Sequence, residues 1–348
     1  MNNIERIAKL EGDGDLSNDD FISLIQTIQQ DEREELFAAA RRVRESCYGK
    51  GVYIRGLIEF TNICKNDCLY CGIRRGNKKA GRYRLTPEDI LTCAAEGYDL
   101  GFRTFVLQGG EDVWFTKERM ADIIRSLRDR FPDCAITLSV GERDAEEYLC
   151  WFEAGADRYL LRHETADERH YAVLHPAEMK LSRRIRCLLE LRKIGYQIGA
   201  GFMVGSPGQK VSHLVADLRF LQSIHPHMIG IGPFLSHRDT PFANEPNGSV
   251  TCTLVLLGIL RLMFPAALIP ATTALGTVAE GGREQGLLAG ANVLMPNLSP
   301  QNVREKYGLY DNKLYSGAES AQELDVLRQR VESVGYFIET GRGDSKAD

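Results

Sequence analysis

The sequence lacks the features by which membrane, secreted and nucleic-acid-binding proteins are usually recognised. Its longest apolar run, Val250 to Leu260, is far shorter than the ~20 residues that span a bilayer. No secretion signal opens it, and no basic block is long enough to neutralise many phosphates. With 43 basic and 48 acidic side chains, the net charge is −5. We therefore expect a cytoplasmic protein with neither membrane nor nucleic-acid partners.

The sequence also lacks an even number of cysteines. Nine cysteines cannot all pair, which favours free thiols in a reducing compartment. Three of them, Cys64, Cys68 and Cys71, lie close together in one segment. The other six stand alone, and we expect them to pack as small apolar side chains: Cys47, Cys93, Cys134, Cys150, Cys187 and Cys252.

A repeated strand and helix pattern fills the middle of the chain. The candidate strands are Tyr53–Phe60, Thr104–Gln108, Ala135–Val140, Arg158–Arg162, Gln197–Met203, Met228–Ile231, Leu268–Pro270 and Asn292–Met295. Glycines follow several helical stretches, as left-handed helix C-caps do: Gly101, Gly155, Gly195 and Gly290. The pattern predicts an α/β fold, a (β/α)8 barrel over residues 51–315, although a six-unit barrel stays open. A helical extension (1–50) precedes it, and a helix with a mobile polar tail (316–348) follows.

The three clustered cysteines follow the first candidate strand, so the barrel would place them at its catalytic end. Three thiolates can hold three irons of a [4Fe–4S] cluster and leave the fourth iron without a protein ligand. The alternative is a structural zinc site, which needs a fourth donor such as Cys47 or Cys93. No GxGxxG follows the first strand and no GxxxxGK[ST] is present, which argues against the commonest nucleotide-binding motifs.

The spacing Cys64-x3-Cys68-x2-Cys71, with Tyr70 before the last cysteine, resembles the radical S-adenosylmethionine (radical SAM) signature. Further segments resemble the [FeFe]-hydrogenase maturase family HydE, whose relatives include biotin synthase and 3-methylornithine synthase. These segments are Arg158–Thr165, Gly199–Gln209, Ile229–Phe234, Pro270–Thr273 and Gly290–Asn297. The resemblance implies a TIM barrel, a [4Fe–4S] cluster on Cys64, Cys68 and Cys71, and SAM bound at its open iron.

The resemblance also implies site residues. For SAM these are Tyr70, Gly110, Glu111, Ser139, Glu164, Arg184 and Val204. For the substrate cavity they are Gln108, Gly109, Thr137, Arg162, Thr272, Thr273 and Tyr310, with Gly109 standing where a serine is familiar. Many family members carry later cysteines for a second cluster. Here no cysteine follows Cys252 and Tyr315 occupies that stretch, so no second cluster is expected.

The family implies reductive SAM cleavage acting on an iron–carbonyl–cyanide–cysteine precursor during assembly of the diiron subcluster. It also implies a low-potential electron donor and the other maturases HydG and HydF as partners. Two alternatives stay open: a radical SAM mutase or lyase acting on a small amino acid, as 3-methylornithine synthase does, and a structural metal-binding scaffold. Arg184 illustrates the choices left to the structure, because it fits either a bound carboxylate or a solvated helix face.

Overall fold

Eight parallel strand positions close into a barrel in the computed structural model, which describes residues 1–347. The strands are β1 (Gly51–Ile54), β2 (Gly56–Thr61), β3 (Thr104–Gly109), β4 (Ala135–Ser139), β5 (Arg158–Leu160), β6 (Gln197–Ala200), β7 (Met203–Val204), β8 (Met228–Ile229), β9 (Gly232–Pro233), β10 (Val293–Leu294) and β11 (Phe337–Glu339). The main sheet runs β2-β3-β4-β5-β6-β8. Bridges from Met228 to Leu268 and from Pro270 to Val293, with β10 pairing to β1, complete the circle. The predicted (β/α)8 barrel is confirmed, with eight units rather than six.

The helices cover the outside of this barrel. They are α1 (Asn3–Asp13), α2 (Asn18–Thr27), α3 (Gln30–Tyr48), α4 (Pro87–Asp99), α5 (Lys117–Arg130), α6 (Ala145–Glu153), α7 (Glu168–Leu174), α8 (Leu181–Ile194), α9 (Val211–Ile224), α10 (Val250–Met263), α11 (Thr273–Val278), α12 (Gly282–Leu288), α13 (Gln301–Arg304) and α14 (Leu324–Ser333). Short 3-10 turns at Gly317–Glu319 and Ala321–Glu323 precede α14. The N-terminal helices α1, α2 and α3 pack on α9 and α10.

The apolar run noted in the sequence forms most of α10. A helix that is apolar all round needs cover on every side, and α1 and α3 cover its outer face. Gly258 lets Leu36 of α3 approach closely, because a Cβ there would lie 2.9 Å from Leu36 Cγ. Across residues 1–347, every helix is too short or too polar to cross a membrane.

Local signals set the ends of several helices. Thr86 caps α4 by accepting a hydrogen bond from the Asp89 N–H, and the Asp89 side chain accepts one from the Thr86 N–H. The four glycines expected to end helices all have positive φ, between 94° and 115°. Each turns the chain back toward the next strand, so the carboxyl ends of the strands meet at one end, here called the mouth.

Two predicted strands are interrupted near the mouth. The chain breaks after β6 and after β8 and continues as the short parallel pair β7 and β9. A Cβ at Gly201 would lie 1.9 Å from the Gly230 carbonyl oxygen, so the two backbones can approach only through glycine. The break opens loop backbone toward the mouth.

The C-terminal segment differs from the expected mobile tail. After α14, β11 pairs in parallel with β1 at the end opposite the mouth, with Gly51 beside Phe337. Asp344 then forms a 2.7 Å ion pair with Arg158, a buried residue at the start of β5. The segment is held because it supplies edge pairing and a counter-charge that the barrel otherwise lacks. Only the last residue of the predicted tail, 348, lies outside the described residues.

Candidate active site

The cysteine loop leaves β2 and lies across the mouth. Its backbone is anchored on two sides: the Lys65 N–H donates to the Glu111 carbonyl, and the Leu69 N–H donates to the Leu174 carbonyl, both at 3.0 Å. Arg82 supports the loop from below by donating to four backbone carbonyls. The fold therefore holds the loop in place through backbone contacts rather than through the thiols.

The three loop thiols, at Cys64, Cys68 and Cys71, are half-buried and close to one another. Burial raises the pKa of Cys71 to about 12 and that of Cys68 well above its usual value, with Cys71 and Cys64 among the charges that raise it further. Such thiols become thiolates when a metal supplies positive charge. Three soft donors on one loop are the ligand type of iron–sulfur clusters, in which each thiolate binds its own iron.

No group of three or more His, Cys, Asp or Glu side chains within residues 1–347 surrounds a single-ion site. A cluster does not require such a site, because its ligands bind separate irons at its corners. The donor set of the loop therefore fits a [4Fe–4S] cluster, and Cys64, Cys68 and Cys71 are the candidate ligands.

The turn after β3 packs directly against this loop. A Cβ at Gly110 would lie 2.3 Å from the Ile63 carbonyl oxygen and 2.9 Å from Cys64 Cβ, so glycine is required for the contact. Glu111 is buried and accepts a 2.8 Å hydrogen bond from the Glu142 N–H, and it lies 3.1 Å from Lys65 Nζ. The turn thus connects the cysteine loop to the loop after β4.

The charged residues after β5 are held in an unusual geometry. Glu164 has φ of 67°, in the left-handed region that non-glycine residues rarely occupy. Its Oε2 lies 3.2 Å from Arg162 Nη2, but the two atoms are not aligned for a hydrogen bond. Backbone bonds to Gly201 and Met203 hold Glu164 in place. Positive φ with an unpaired carboxylate oxygen is typical of a residue that meets a ligand.

Arg184 is buried rather than solvated, which answers the question left by the sequence. Its Nε donates to Glu142 Oε1 at 2.6 Å and its Nη1 donates to the Arg162 carbonyl at 2.8 Å. The sequence analysis did not single out Glu142. A charged residue directly after a strand end was the available signal, as it was for Arg162.

Several of the buried polar atoms without hydrogen-bond partners among the described residues belong to predicted site residues. They include Thr137 Oγ1, Thr272 Oγ1 and the Nε and Nη2 atoms of Arg162. Thr137 is in the middle of β4, Arg162 follows β5 and Thr272 precedes α11, so the groups come from three separate segments of the chain. Buried polar atoms are nearly always hydrogen-bonded, and such a set predicts a polar ligand between them.

Thr273 differs from its neighbour Thr272. Its hydroxyl donates to Glu319 Oε2 at 2.8 Å and accepts a 3.1 Å hydrogen bond from Arg283 Nη2, within a buried ion pair of Arg283 and Glu319. Tyr310 is half-buried near this group, and burial raises its pKa. The Thr272 hydroxyl therefore has no hydrogen-bond partner among the described residues, whereas the Thr273 hydroxyl forms two hydrogen bonds.

The remaining predicted residues are near the mouth but contribute differently. Gln108 and Ser139 are neighbours in register at the ends of β3 and β4, and both are half-buried. Gly109 pairs with Thr61, where a Cβ would lie 2.9 Å from the threonine methyl. The carbonyl of Val204 already accepts a 2.8 Å hydrogen bond from the Phe234 N–H.

Tyr70 is fixed by a stack of rings beside the cysteine loop. Its hydroxyl lies 3.4 Å from His175 Nε2, and His175 stacks on Tyr171 with ring centroids 3.9 Å apart. Burial lowers the pKa of His175 to about 3, so the ring is neutral and can pack without a counter-charge. The stack connects the loop to α7.

A buried charged group inside the barrel also escaped the sequence analysis. Glu59, on β2, accepts a 2.8 Å hydrogen bond from Asn297 Nδ2 and forms an ion pair with Lys313. An acidic residue within an apolar strand was the signal that could have identified Glu59. Nothing in the sequence pattern indicated Lys313, which comes from the segment that crosses the mouth.

Comparison with known proteins identifies the family of this chain. The family profile described as Radical SAM superfamily matches residues 58–221. The [FeFe] hydrogenase maturase subunit HydE of Thermotoga maritima is 45% identical over 302 residues, covering 87% of this chain and 86% of that protein. The 3-methylornithine synthase of Methanosarcina acetivorans is 29% identical over 322 residues, covering 92% and 89%.

Solved structures show the same barrel. Methylornithine synthase (PylB) superposes with a TM-score of 0.85 at 26% identity, covering 96% of this chain and 97% of that one. HydG, a maturase of the [FeFe]-hydrogenase, superposes with a TM-score of 0.81 at 18% identity, covering 97% and 76%. At that identity, the likeness to HydG concerns the fold alone.

The fold and these matches define an enzyme that uses SAM and a [4Fe–4S] cluster. The chain belongs to the radical SAM superfamily and, within it, to the family of the maturase HydE. The first step of its chemistry is therefore that of the superfamily.

Proposed function

We propose that this enzyme acts in [FeFe]-hydrogenase maturation, on an iron–carbonyl–cyanide–cysteine precursor of the diiron subcluster. When bound, the cluster and SAM supply a 5′-deoxyadenosyl radical by reductive cleavage of SAM. The 45% identity to the HydE subunit over most of both chains supports this function. The structural observation that carries it is the set of unpartnered polar atoms on Thr137, Arg162 and Thr272, which suits a small ligand with a carboxylate.

Cys64, Cys68 and Cys71 hold the cluster in this proposal, each on its own iron, and the fourth iron is left for SAM. No second cluster is proposed, because no cysteine follows Cys252 and Tyr315 occupies the corresponding stretch. The backbone anchors of the loop keep the thiols at the mouth, where a ligand can reach them from inside the barrel.

The SAM site is proposed on the groups that surround the loop. Glu164 Oε2 accepts from a hydroxyl or ammonium donor, and Arg184 adds a buried positive charge beside it. Glu111 and Gly110 bring the β3 turn against the loop. Ser139, Tyr70 and the backbone of Val204 complete the proposed SAM contacts: Ser139 ends β4, Tyr70 is held by its ring stack, and Val204 lies on β7.

The substrate site is proposed deeper in the barrel. Arg162 donates to a carboxylate through Nε and Nη2, and the Thr137 and Thr272 hydroxyls donate to its other side. Gln108, Gly109, Thr273 and Tyr310 line the same cavity in this proposal, with the Thr273 hydroxyl positioned by Glu319 and Arg283. Buried donors without partners reject a ligand that lacks the matching acceptor, which is how such a site selects its substrate.

A mutase or lyase acting on a small amino acid is the second candidate, and the 29% identity and close superposition to 3-methylornithine synthases favour it. Both candidates work in the cytoplasm with a low-potential electron donor, and the maturase role adds HydG and HydF as partners.

One experiment separates these candidates. The reconstituted enzyme is reduced and given SAM, with either a synthetic iron–carbonyl–cyanide–cysteine complex or lysine. For the maturase we expect 5′-deoxyadenosine formation well above the uncoupled background with the iron complex only. Stimulation by lysine alone would favour the mutase. Stoichiometric zinc, with no iron or sulfide after anaerobic reconstitution, would contradict both candidates.

A further inference from the structure

Positive charge is concentrated between the cysteine loop and α4, in a chain whose net charge is −5. Residues 62–84 contain one acidic side chain, Asp67, and seven basic ones: Lys65, Arg74, Arg75, Lys78, Lys79, Arg82 and Arg84. The rest of the chain therefore has a more negative net charge than the −5 of the whole chain. The composition as a whole therefore conceals a basic region beside the candidate cluster ligands.

Four of these side chains are used within the fold, the first being Lys65, whose Nζ lies 3.1 Å from Glu111 Oε2. Arg74 forms a 2.8 Å ion pair with Asp67, and Arg84 forms a 2.7 Å pair with the buried Asp112. Arg82 is half-buried and donates only to backbone carbonyls among its hydrogen bonds within the described chain. These three arginines shape the loop, so a structural role accounts for them.

The other three basic residues of this segment face outward, as does Lys306 from a later segment. Arg75, Lys78, Lys79 and Lys306 are exposed, and we call these four residues the basic surface. Lys79 and Lys306 line one shallow pocket, and the Arg75 N–H donates to the Asn66 carbonyl inside the cysteine loop. Lys79 and Lys306 therefore share one pocket, and Arg75 and Lys78 lie within four residues of Lys79 in the chain.

Two acidic residues, Asp239 and Glu305, lie in the same pocket, and Asp239 pairs with Lys79 at 2.7 Å. They offset the charges of Lys79 and Lys306 within the pocket, so the excess positive charge of the basic surface comes from Arg75 and Lys78, which are exposed and form no ion pair among the described residues. An exposed pair of this kind also contributes little net binding of its own.

The basic surface lies on the outer side of the cysteine loop. Gly72, the residue after Cys71, lines the same pocket, and its N–H donates to the Leu309 carbonyl at 2.8 Å. The proposed SAM and substrate groups lie on the opposite side, inside the barrel. A protein partner at the basic surface would thus approach the candidate cluster ligands without blocking the mouth.

We propose that the basic surface is the docking site of an acidic one-electron carrier protein. The inference rests on the proposed radical SAM activity, which requires one electron for each SAM cleaved. The reduced carrier is oxidised by one electron and the cluster is reduced by one. Opposite charge steers and accelerates such encounters. Electron transfer also becomes steeply slower with distance, so docking beside Cys71 is productive.

The test compares two charge-reversal variants of the reconstituted enzyme. One carries Arg75→Glu, Lys78→Glu and Lys79→Glu. The matched control carries Lys50→Glu, Arg125→Glu and Lys193→Glu, which are exposed and lie away from the cysteine loop. The probe is an acidic low-potential ferredoxin, whose Kd is measured by calorimetry at low and high salt. SAM cleavage is measured with limiting reduced ferredoxin and, separately, with dithionite.

We expect the first variant to bind ferredoxin at least about tenfold more weakly than wild type at low salt, with a smaller difference at high salt. Its ferredoxin-driven cleavage should fall in parallel, and its dithionite-driven rate should match wild type. The control should behave as wild type in every measurement.

Equal ferredoxin binding by wild type and the first variant would overturn the proposal. Equally tight binding of a duplex DNA at the same salt would overturn it too, because the surface would then be a general polyanion site. Failure of wild type to cleave SAM with dithionite would count against the proposed function instead, and the binding measurement would still decide the docking site.

Discussion

Two arginines at opposite ends of one strand differ in how many hydrogen bonds the barrel gives them. Arg158, at the start of β5, is buried and donates to Gln197, Thr104, the Arg342 carbonyl and Asp344. Arg162, just beyond the other end, has no hydrogen-bond partner for Nε or Nη2 within the described chain. Every nitrogen of the first guanidinium has a hydrogen bond, whereas the second has a 3.2 Å ion pair with Glu164 and two nitrogens without hydrogen bonds.

The contrast separates stability from function along a single strand. At the closed end, the C-terminal segment adds a strand and a counter-charge, so charge there serves the fold. At the mouth, Glu164 has a left-handed backbone conformation, and the hydroxyls of Thr137 and Thr272 lack hydrogen bonds within the described chain. Both features lower stability, and such features are kept where a bound ligand compensates for the loss. This matches the general division of labour between the two faces of such barrels.

The strongest test of the mouth is Cys68→Ser. We expect SAM cleavage to fall to background and iron content to drop, because a hydroxyl is a poor ligand for iron–sulfur clusters. The fold should remain, since the loop is anchored by its backbone. Iron analysis, 5′-deoxyadenosine formation and circular dichroism measure the three effects. Cys150→Ser, at a half-buried cysteine on α6, is the control and should retain activity.

A smaller loss is expected from Gly110→Ala, which tests whether the β3 turn positions the loop. The new methyl would overlap the Ile63 carbonyl, so the loop must shift. We expect SAM cleavage to decrease by about a hundredfold, as misplacement of a reacting group by about 1 Å does. Gly230→Ala is the control, because a Cβ there has no heavy atom within 4 Å among the described residues. Equal activity of the two variants would contradict the positioning role.

The two arginines themselves predict reciprocal outcomes. Asp344→Asn should lower the free energy of unfolding by about 1–3 kcal/mol, because it leaves Arg158 buried without its counter-charge. The figure is modest because the Asp344 side chain is 44% exposed, so water replaces part of the interaction. Arg162→Met should change stability by less than about 1 kcal/mol but abolish the stimulation of SAM cleavage by the iron complex. Chemical denaturation measures the stability of each variant, and the cleavage assay measures its activity. Loss of activity in Asp344→Asn together with loss of stability in Arg162→Met would refute the division between the two ends of the strand.

The smallest effect concerns pH. Burial lowers the pKa of His175 to about 3 from its ordinary 6.5, so between these values only the unfolded chain binds the proton. This contribution lowers the free energy of unfolding as pH falls from 6.5, by up to about 1.4 kcal/mol per pH unit. We expect His175→Gln to lose less stability than wild type between pH 7 and pH 5, measured by urea denaturation. If the variant and the wild type lose the same stability between pH 7 and pH 5, a group other than His175 causes the pH dependence.

Much of the architecture was predictable because its signals are local. The Thr86 and Asp89 capping box, the helix-ending glycines and the alternation of strands and helices depend on near neighbours in sequence. The cysteine loop belongs to the same class, since three ligands in one segment keep their spacing in any fold that presents the loop. For these features, short-range chemistry was sufficient.

Other features came from contacts between residues far apart in sequence. The sequence left Arg184 undecided between a carboxylate and solvent, and packing against Glu142 and the Arg162 carbonyl decided it. Strand β11 was missed because its three residues gain strand structure from pairing with β1.

By itself, the sequence determined the barrel's repeating units, the cysteine loop and the family to which the chain belongs. Only the tertiary structure decided which polar groups are satisfied, because hydrogen bonding depends on where each side chain meets its neighbours after folding. It closed one end of the barrel with the C-terminal segment, and it left the hydroxyls of Thr137 and Thr272 and two nitrogens of Arg162 without hydrogen bonds within the described chain.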